Sequence, residues 1–132
     1  MAECRVEHIG IIVEDLDRSL ELFETLFGLK AAGIQEMDEV GLRVARLEAE
    51  NIRIELIQYT SAEESFGRRV MGSDTGYNHL SVEVEDMEAA LARWASRGVR
   101  VMEGFPRPGS HGRVAFFEPE STGGILVEVC EA

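Results

Sequence analysis

Ile9, Ile11 and Val13 occupy alternate positions in HIGIIV, and Leu80, Val82 and Val84 do the same in HLSVEV. A two-residue period of this kind predicts a strand with one apolar face. Each run is followed by an aspartate, Asp15 or Asp86, placed where a helix wants its N-cap. Beyond it the period lengthens. Leu16, Leu20, Phe23 and Phe27 fall at helical spacing, as do Met87, Leu91 and Trp94, and Gly28 and Gly98 mark the stops. Extended stretches follow at Leu42 to Leu47 and Ile52 to Ile57, then again at Arg113 to Phe117 and Ile125 to Val129. The turn segments AEN and PESTGG separate the members of each pair. Between the two sets, Ser61 with Glu64 predicts a capping box on a short helix that ends near Gly72.

The pattern is one phrase written twice. His8 and His79 are 71 positions apart, and the same offset matches Val13 with Val84, Asp15 with Asp86 and Leu20 with Leu91. Near offset 70, Gly28 meets Gly98 and Val44-Ala45 meets Val114-Ala115; at offset 73, Glu55 meets Glu128. Two copies of a module of roughly 55 residues read as a paired, pseudo-symmetric domain rather than a repeat array. The expectation is an α+β fold of two tandem β-α-β-β-β modules within a single domain spanning 1–132. Module one covers about 5–60, a short helical connector about 61–74, and module two about 75–131.

Composition narrows the classes. The 132 residues are 45% hydrophobic and 29% charged, ordinary for a globular chain with a real core. The formal charge of −12 arises from 25 acidic against 13 basic residues, and no basic cluster is large enough to grip a phosphate backbone. Nucleic acid is therefore not an expected partner. No apolar run approaches the ~20 residues of a membrane helix, so no membrane association is expected. The first strand starts close to Met1, leaving no space for a signal peptide, and the expected location is cytoplasmic. Cys4 and Cys130 are too few for a disulfide framework.

The duplicated polar residues carry the chemistry. On the first strands His8 shares its face with Gly10, and His79 shares its face with Ser81, so small neighbours leave space beside each ring. Glu55 lies opposite Ile52, Ile54 and Leu56, and Glu128 lies opposite Ile125, Val127 and Val129. A lone histidine at a strand start is ordinarily a surface or hydrogen-bonded residue, and a strand glutamate is ordinarily solvated. Their recurrence at matched places in both copies points elsewhere. If the modules curl toward each other, two imidazoles and two carboxylates converge, a donor set for one borderline divalent metal: zinc, cobalt, nickel, manganese or ferrous iron.

The segments HIGIIVEDLDRSLELFETLFGLK, NIRIELIQ, GYNHLSVEVEDMEAAL and GSHGRVAFFEPESTGGILVEV resemble the vicinal oxygen chelate superfamily, and within it are most similar to the methylmalonyl-CoA epimerases. The resemblance implies a curved, half-open sheet around a metal site, with His8, Glu55, His79 and Glu128 as ligands. It implies epimerisation of a 2-substituted malonyl-CoA-type thioester by proton removal and return through a metal-stabilised enolate. Glu55 and Glu128 are then the candidate bases, and His111 and Arg113 the candidate substrate contacts. A small-molecule acyl-CoA substrate and a homodimer are implied as well. The chain departs from the epimerase pattern where Val44 stands at about the place of an additional glutamate, where Asn78 precedes His79, and where Glu118 and Glu120 follow Phe117.

Two further readings share the fold. A glyoxalase I-like lyase, acting on a glutathione hemithioacetal, would use the same two His and two Glu. A non-enzymatic, bleomycin-resistance-like drug binder suits the acidic charge but generally dispenses with the ligands. An extradiol dioxygenase, with two His and one Glu around ferrous iron, would leave Glu55 unnecessary.

Overall fold

The computed structural model describes residues 4–132, and the chain divides into two compact units. One holds residues 8–78; the other holds residues 79–132 with the described residues before His8. Among the described residues there are eight strands and three α-helices.

The first unit carries most of β1 (Arg5–Ile12), from His8 on, with α1 (Leu16–Phe27), β2 (Ala31–Met37), β3 (Leu42–Glu48), β4 (Arg53–Tyr59) and α2 (Phe66–Met71). Its strands lie in the order β2-β3-β4-β1, with β1 parallel to β4 and β3 antiparallel to both its neighbours. A parallel pair needs a crossover, which α1 begins. Leu16 and its helix pack on Ala45, Leu47 and Leu56, closing one face of the sheet. The other face is apolar only at one end, where Ile12, Val44 and Ile57 lie under Phe66 and Met71 of α2. The remaining end of that face takes His8, Glu55 and Arg46.

The second unit repeats the plan with most of β5 (Gly76–Val84), from His79 on, and with α3 (Met87–Ala95), β6 (Arg107–Pro108), β7 (Arg113–Phe116) and β8 (Val127–Glu131). Its order is β6-β7-β8-β5, with β5 parallel to β8. Val84, Met87, Ala115, Phe117 and Val129 form the core beneath α3. The expected α+β class and duplicated β-α-β-β-β order are both present.

The helix starts behave as expected. Asp15 accepts from the Arg18 amide and Asp86 from the Ala89 amide, each at 3.1 Å. A second acceptor supports each start from a distance. The Leu16 amide donates to Gln58 Oε1 at 2.7 Å, and the Met87 amide donates to Glu131 Oε2 at 2.8 Å. Gln58 and Glu131 follow Glu55 and Glu128 at the same interval, so the duplication includes this long-range cap.

Other boundaries differ from expectation. β2 gives no alternation because it is exposed along most of its length and its register shifts between Ala31 and Ile34. Gly28 closes α1 in the left-handed region as expected, whereas α3 already ends at Ala95, three residues before Gly98. The connector helix is capped by Ser65 rather than Ser61. Ser65 Oγ accepts from the Arg68 amide, while Ser61 Oγ holds a tighter local turn by accepting from the Glu63 amide. β8 starts at Val127 instead of Ile125, because Gly123 and Gly124 turn the chain with positive φ and the Ile125 amide still bonds the Thr122 carbonyl. Cys4 and Cys130 are both free thiols. No helix among the described residues is long and apolar enough to cross a membrane.

Candidate metal centre

In the first unit, β1 pairs with β4 so that His8, Gly10 and Ile12 lie on the same face as Glu55 and Ile57. His8 and Glu55 are 3% and 5% exposed, and His8 Nδ1 lies 3.5 Å from Glu55 Oε2. The second unit builds the same pair: His79 and Glu128 are 6% and 7% exposed, with Nε2 3.7 Å from Oε1. Buried histidines and carboxylates at these depths require partners that satisfy their polar atoms.

Both separations exceed the 2.7–3.2 Å typical of an N–H···O hydrogen bond. They match instead two donors of one cation, which lie roughly 3.4 Å apart when bonds of about 2.1 Å meet at a tetrahedral angle. Each His–Glu pair thus offers a nitrogen and a carboxylate oxygen whose type and spacing suit a divalent metal. The soft donor nearby does not compete. Burial pushes the Cys130 thiol up to about 12, and its Sγ is engaged with Ser81 Oγ and the Val82 carbonyl. It stays a neutral thiol at ordinary pH.

The two halves differ in what stands across from the carboxylate. Arg46 on β3 is in register with Glu55 on β4, and its Nη1 lies 3.6 Å from the same Oε2 that His8 approaches. Phe116 on β7 is in register with Glu128 on β8, and its ring meets the His79 ring edge-on with centroids 5.1 Å apart. Sequence pattern does not single out Arg46, because its place beside Glu55 follows only from the β3–β4 register.

The remaining candidates lie away from these pairs. His111 is exposed on the loop before β7, with Nδ1 3.3 Å from Ser110 Oγ. Arg113 lies on the α3 side of β7, opposite to Phe116. Its guanidinium is bonded to Glu88 at 2.6 Å and stands 3.5 Å from Glu131. That bond pulls the Glu88 carboxyl below its ordinary range and raises the Arg113 guanidinium. Val44 is buried in the apolar end of the first sheet. Asn78 donates to the Met71 carbonyl, tying β5 to the connector. Glu118 and Glu120 both face Arg100, at 3.1 and 4.0 Å. Arg68 stacks over the Tyr59 ring and bonds the Ser61 carbonyl, bracing the connector.

Residues 7–117 match the Glyoxalase/Bleomycin resistance protein/Dioxygenase superfamily. The chain belongs to this superfamily. An ethylmalonyl-CoA/methylmalonyl-CoA epimerase of Cereibacter sphaeroides is 30% identical over 128 residues, covering 95% of this chain and 96% of the relative. Among solved structures, the hypothetical protein BH1468 from Bacillus halodurans superposes with a TM-score of 0.88 at 28% identity, over 99% of this chain and 96% of that one. A variant of Streptomyces coelicolor methylmalonyl-CoA epimerase in complex with 2-nitronate-propionyl-CoA gives 0.83 at 28% identity, over 99% of both chains.

Proposed function

We propose that the chain is a divalent-metal-dependent epimerase of a 2-substituted malonyl thioester, of the methylmalonyl-CoA type. The observation that carries this reading is the pair of buried His–Glu half-shells, one per module, at equivalent positions. Epimerases of such thioesters among the relatives support it. The reading requires His8, Glu55, His79 and Glu128 to share one cation. When bound, that ion would draw electron density from the thioester and carboxylate oxygens and so acidify the proton between them.

The chain's own residues do the rest. Inversion needs a proton taken from one face of the α-carbon and returned to the other. A duplicated fold supplies one carboxylate from each module, Glu55 and Glu128, and these are the proposed acid–base pair. A glutamate that ligates must release before it abstracts, because coordination weakens it as a base. Gly10 and Ser81, the small residues beside the two carboxylates in register, leave the volume that a substrate α-carbon needs. His111 is proposed to reach the acyl group from its loop. Arg113 could join it only by leaving Glu88. A homodimer is proposed with this activity, as the superfamily resemblance implies.

The test is exchange of the α-proton of methylmalonyl-CoA in D2O, catalysed by the cobalt-loaded chain. Glu55→Gln and Glu128→Gln should each slow epimerisation by roughly 10²–10⁴-fold. Exchange no faster than buffer, from a chain carrying one cobalt, would sink the epimerase reading. Turnover of a glutathione hemithioacetal without such exchange would move the assignment to a glyoxalase I-like lyase.

A further inference from the structure

We propose that the exposed end of α1 docks on a second copy of this chain, with Phe27 inserted beside that copy's α3 and the contact returned across a twofold axis. The inference gives the homodimer proposed above a surface, and it depends on neither the metal nor the reaction.

The donor of the contact is an apolar patch in the first unit. Leu22, Leu26 and Phe27 are 43%, 65% and 64% exposed. Large apolar side chains gathered in one surface patch mark an interaction site, whereas scattered ones do not. The exposure does not come from a frayed helix end. The Phe27 ring meets the Phe23 ring edge-on with centroids 5.6 Å apart, Phe23 packs on the core beneath α1, and the Gly28 amide bonds the Glu24 carbonyl. The duplication supplies an internal control. At the offset of 71, Leu20 meets Leu91 and Phe23 meets Trp94, so the core positions keep their character. Leu22, Leu26 and Phe27 meet Arg93, Arg97 and Gly98 instead. Packing such a helix on its own sheet therefore does not call for these three apolar residues.

The acceptor is a cavity of about 420 Å³ in the second unit, beside α3. Val84, Ala89 and Ala90 give it an apolar wall of small side chains, and Arg5 and Arg93 line it as well. A phenyl ring would gain apolar contact there and offer its face to a guanidinium. Glu83, Glu85 and Asp86 also line the cavity, so its side chains are net negative, with three carboxylates against two guanidiniums. Lys30, the only lysine in the chain, follows Phe27 by three positions, and its side chain is 76% exposed. It stands 3.9 Å from Glu24, an exposed contact that water screens and a partner can displace. Two copies of charge −12 repel one another, and Lys30 against this lining reverses that repulsion locally. Patch and cavity thus match in polarity and in sign. Each copy carries one of each, so a twofold axis makes two identical contacts and closes the assembly at two chains.

Sedimentation of the full chain over a concentration series reads the assembly. The wild type should reach twice the chain mass and stop there. Phe27→Ala and Leu26→Ala should each weaken the dimer roughly ten- to hundredfold, through the apolar area they withdraw. Lys30→Glu and Glu85→Lys should each weaken it too, and the two together should restore it, which a damaged fold could not do. A carbodiimide should join Lys30 to Glu83, Glu85 or Asp86, and a mixture of isotope-labelled and unlabelled chains should yield mixed pairs. A wild type that stays a monomer or grows past the dimer overturns the proposal. So does a dimer indifferent to Phe27→Ala, a double swap that restores nothing, or a Lys30 link found only within one chain. None of these outcomes touches the epimerase reading, which the cobalt-loaded exchange assay decides by itself.

Discussion

If one cation is shared by both modules, removing a single histidine from either one should abolish tight binding; two separate half-sites would each survive the loss of the other. The readout is the metal-induced rise in Tm, with each variant compared with its own metal-free form so that packing costs cancel. At free metal one hundred times Kd, binding stabilises the folded state by about 2.7 kcal/mol. A chain of 132 residues unfolds with an entropy of roughly 0.28 kcal/mol/K, from about 2.1 cal/mol/K per residue. The expected shift is therefore about 10 °C. His8→Ala or His79→Ala removes one of four donors. If affinity then falls a hundredfold, the same metal concentration only equals Kd, and the stabilisation drops to about 0.4 kcal/mol, under about 2 °C. Both variants should show this collapse, with one ion per wild-type chain by elemental analysis. The reasoning is refuted if each variant keeps about half the shift, if the wild type binds two ions, or if cobalt, zinc, nickel and manganese leave Tm unmoved.

The long-range caps make a second case: Gln58→Leu strips the Leu16 amide of its 2.7 Å acceptor and should cost about 1–2 kcal/mol by urea unfolding. Gln58→Glu, which copies the residue module two uses, should be close to neutral. Leu56→Ala opens a cavity under α1 where the side chain is fully buried, and should cost about 2–5 kcal/mol. At Gly67 an added Cβ would sit 2.9 Å from the Val40 carbonyl oxygen, so Gly67→Ala should destabilise by about 1–3 kcal/mol and loosen the connector in hydrogen exchange. Burial pushes the Cys130 thiol and the Tyr59 phenol each up to about 12, so their neutral forms are favoured in the fold. As pH rises from about 9 towards 12, the unfolded chain sheds these protons first, and stability must fall across that window, not below it. Cys130→Ser should flatten the decline in a pH series of unfolding curves. In the native chain a thiol reagent should label half-buried Cys4 well before Cys130.

The sequence and the structure agree where the duplication is written in local signals. Period-two runs at Ile9 and Leu80, aspartate caps, and 3.6-period apolar residues each depend on a few neighbours, and each occurs twice. Strand alternation also gave the faces of His8, Glu55, His79 and Glu128 correctly, because burying Leu56 or Val129 on one side sends the adjacent glutamate to the other. What stayed hidden depends on contacts distant in the chain. β2 shows no period because an exposed edge strand has no buried face to enforce one. Ser61 and Ser65 are equally good caps on paper, and the packing of Gly67 against Leu42 and Val40 selects the second. Arg113 reads as a basic residue near a candidate loop, until counting along β7 from Phe116 puts it on the helix side with Glu88.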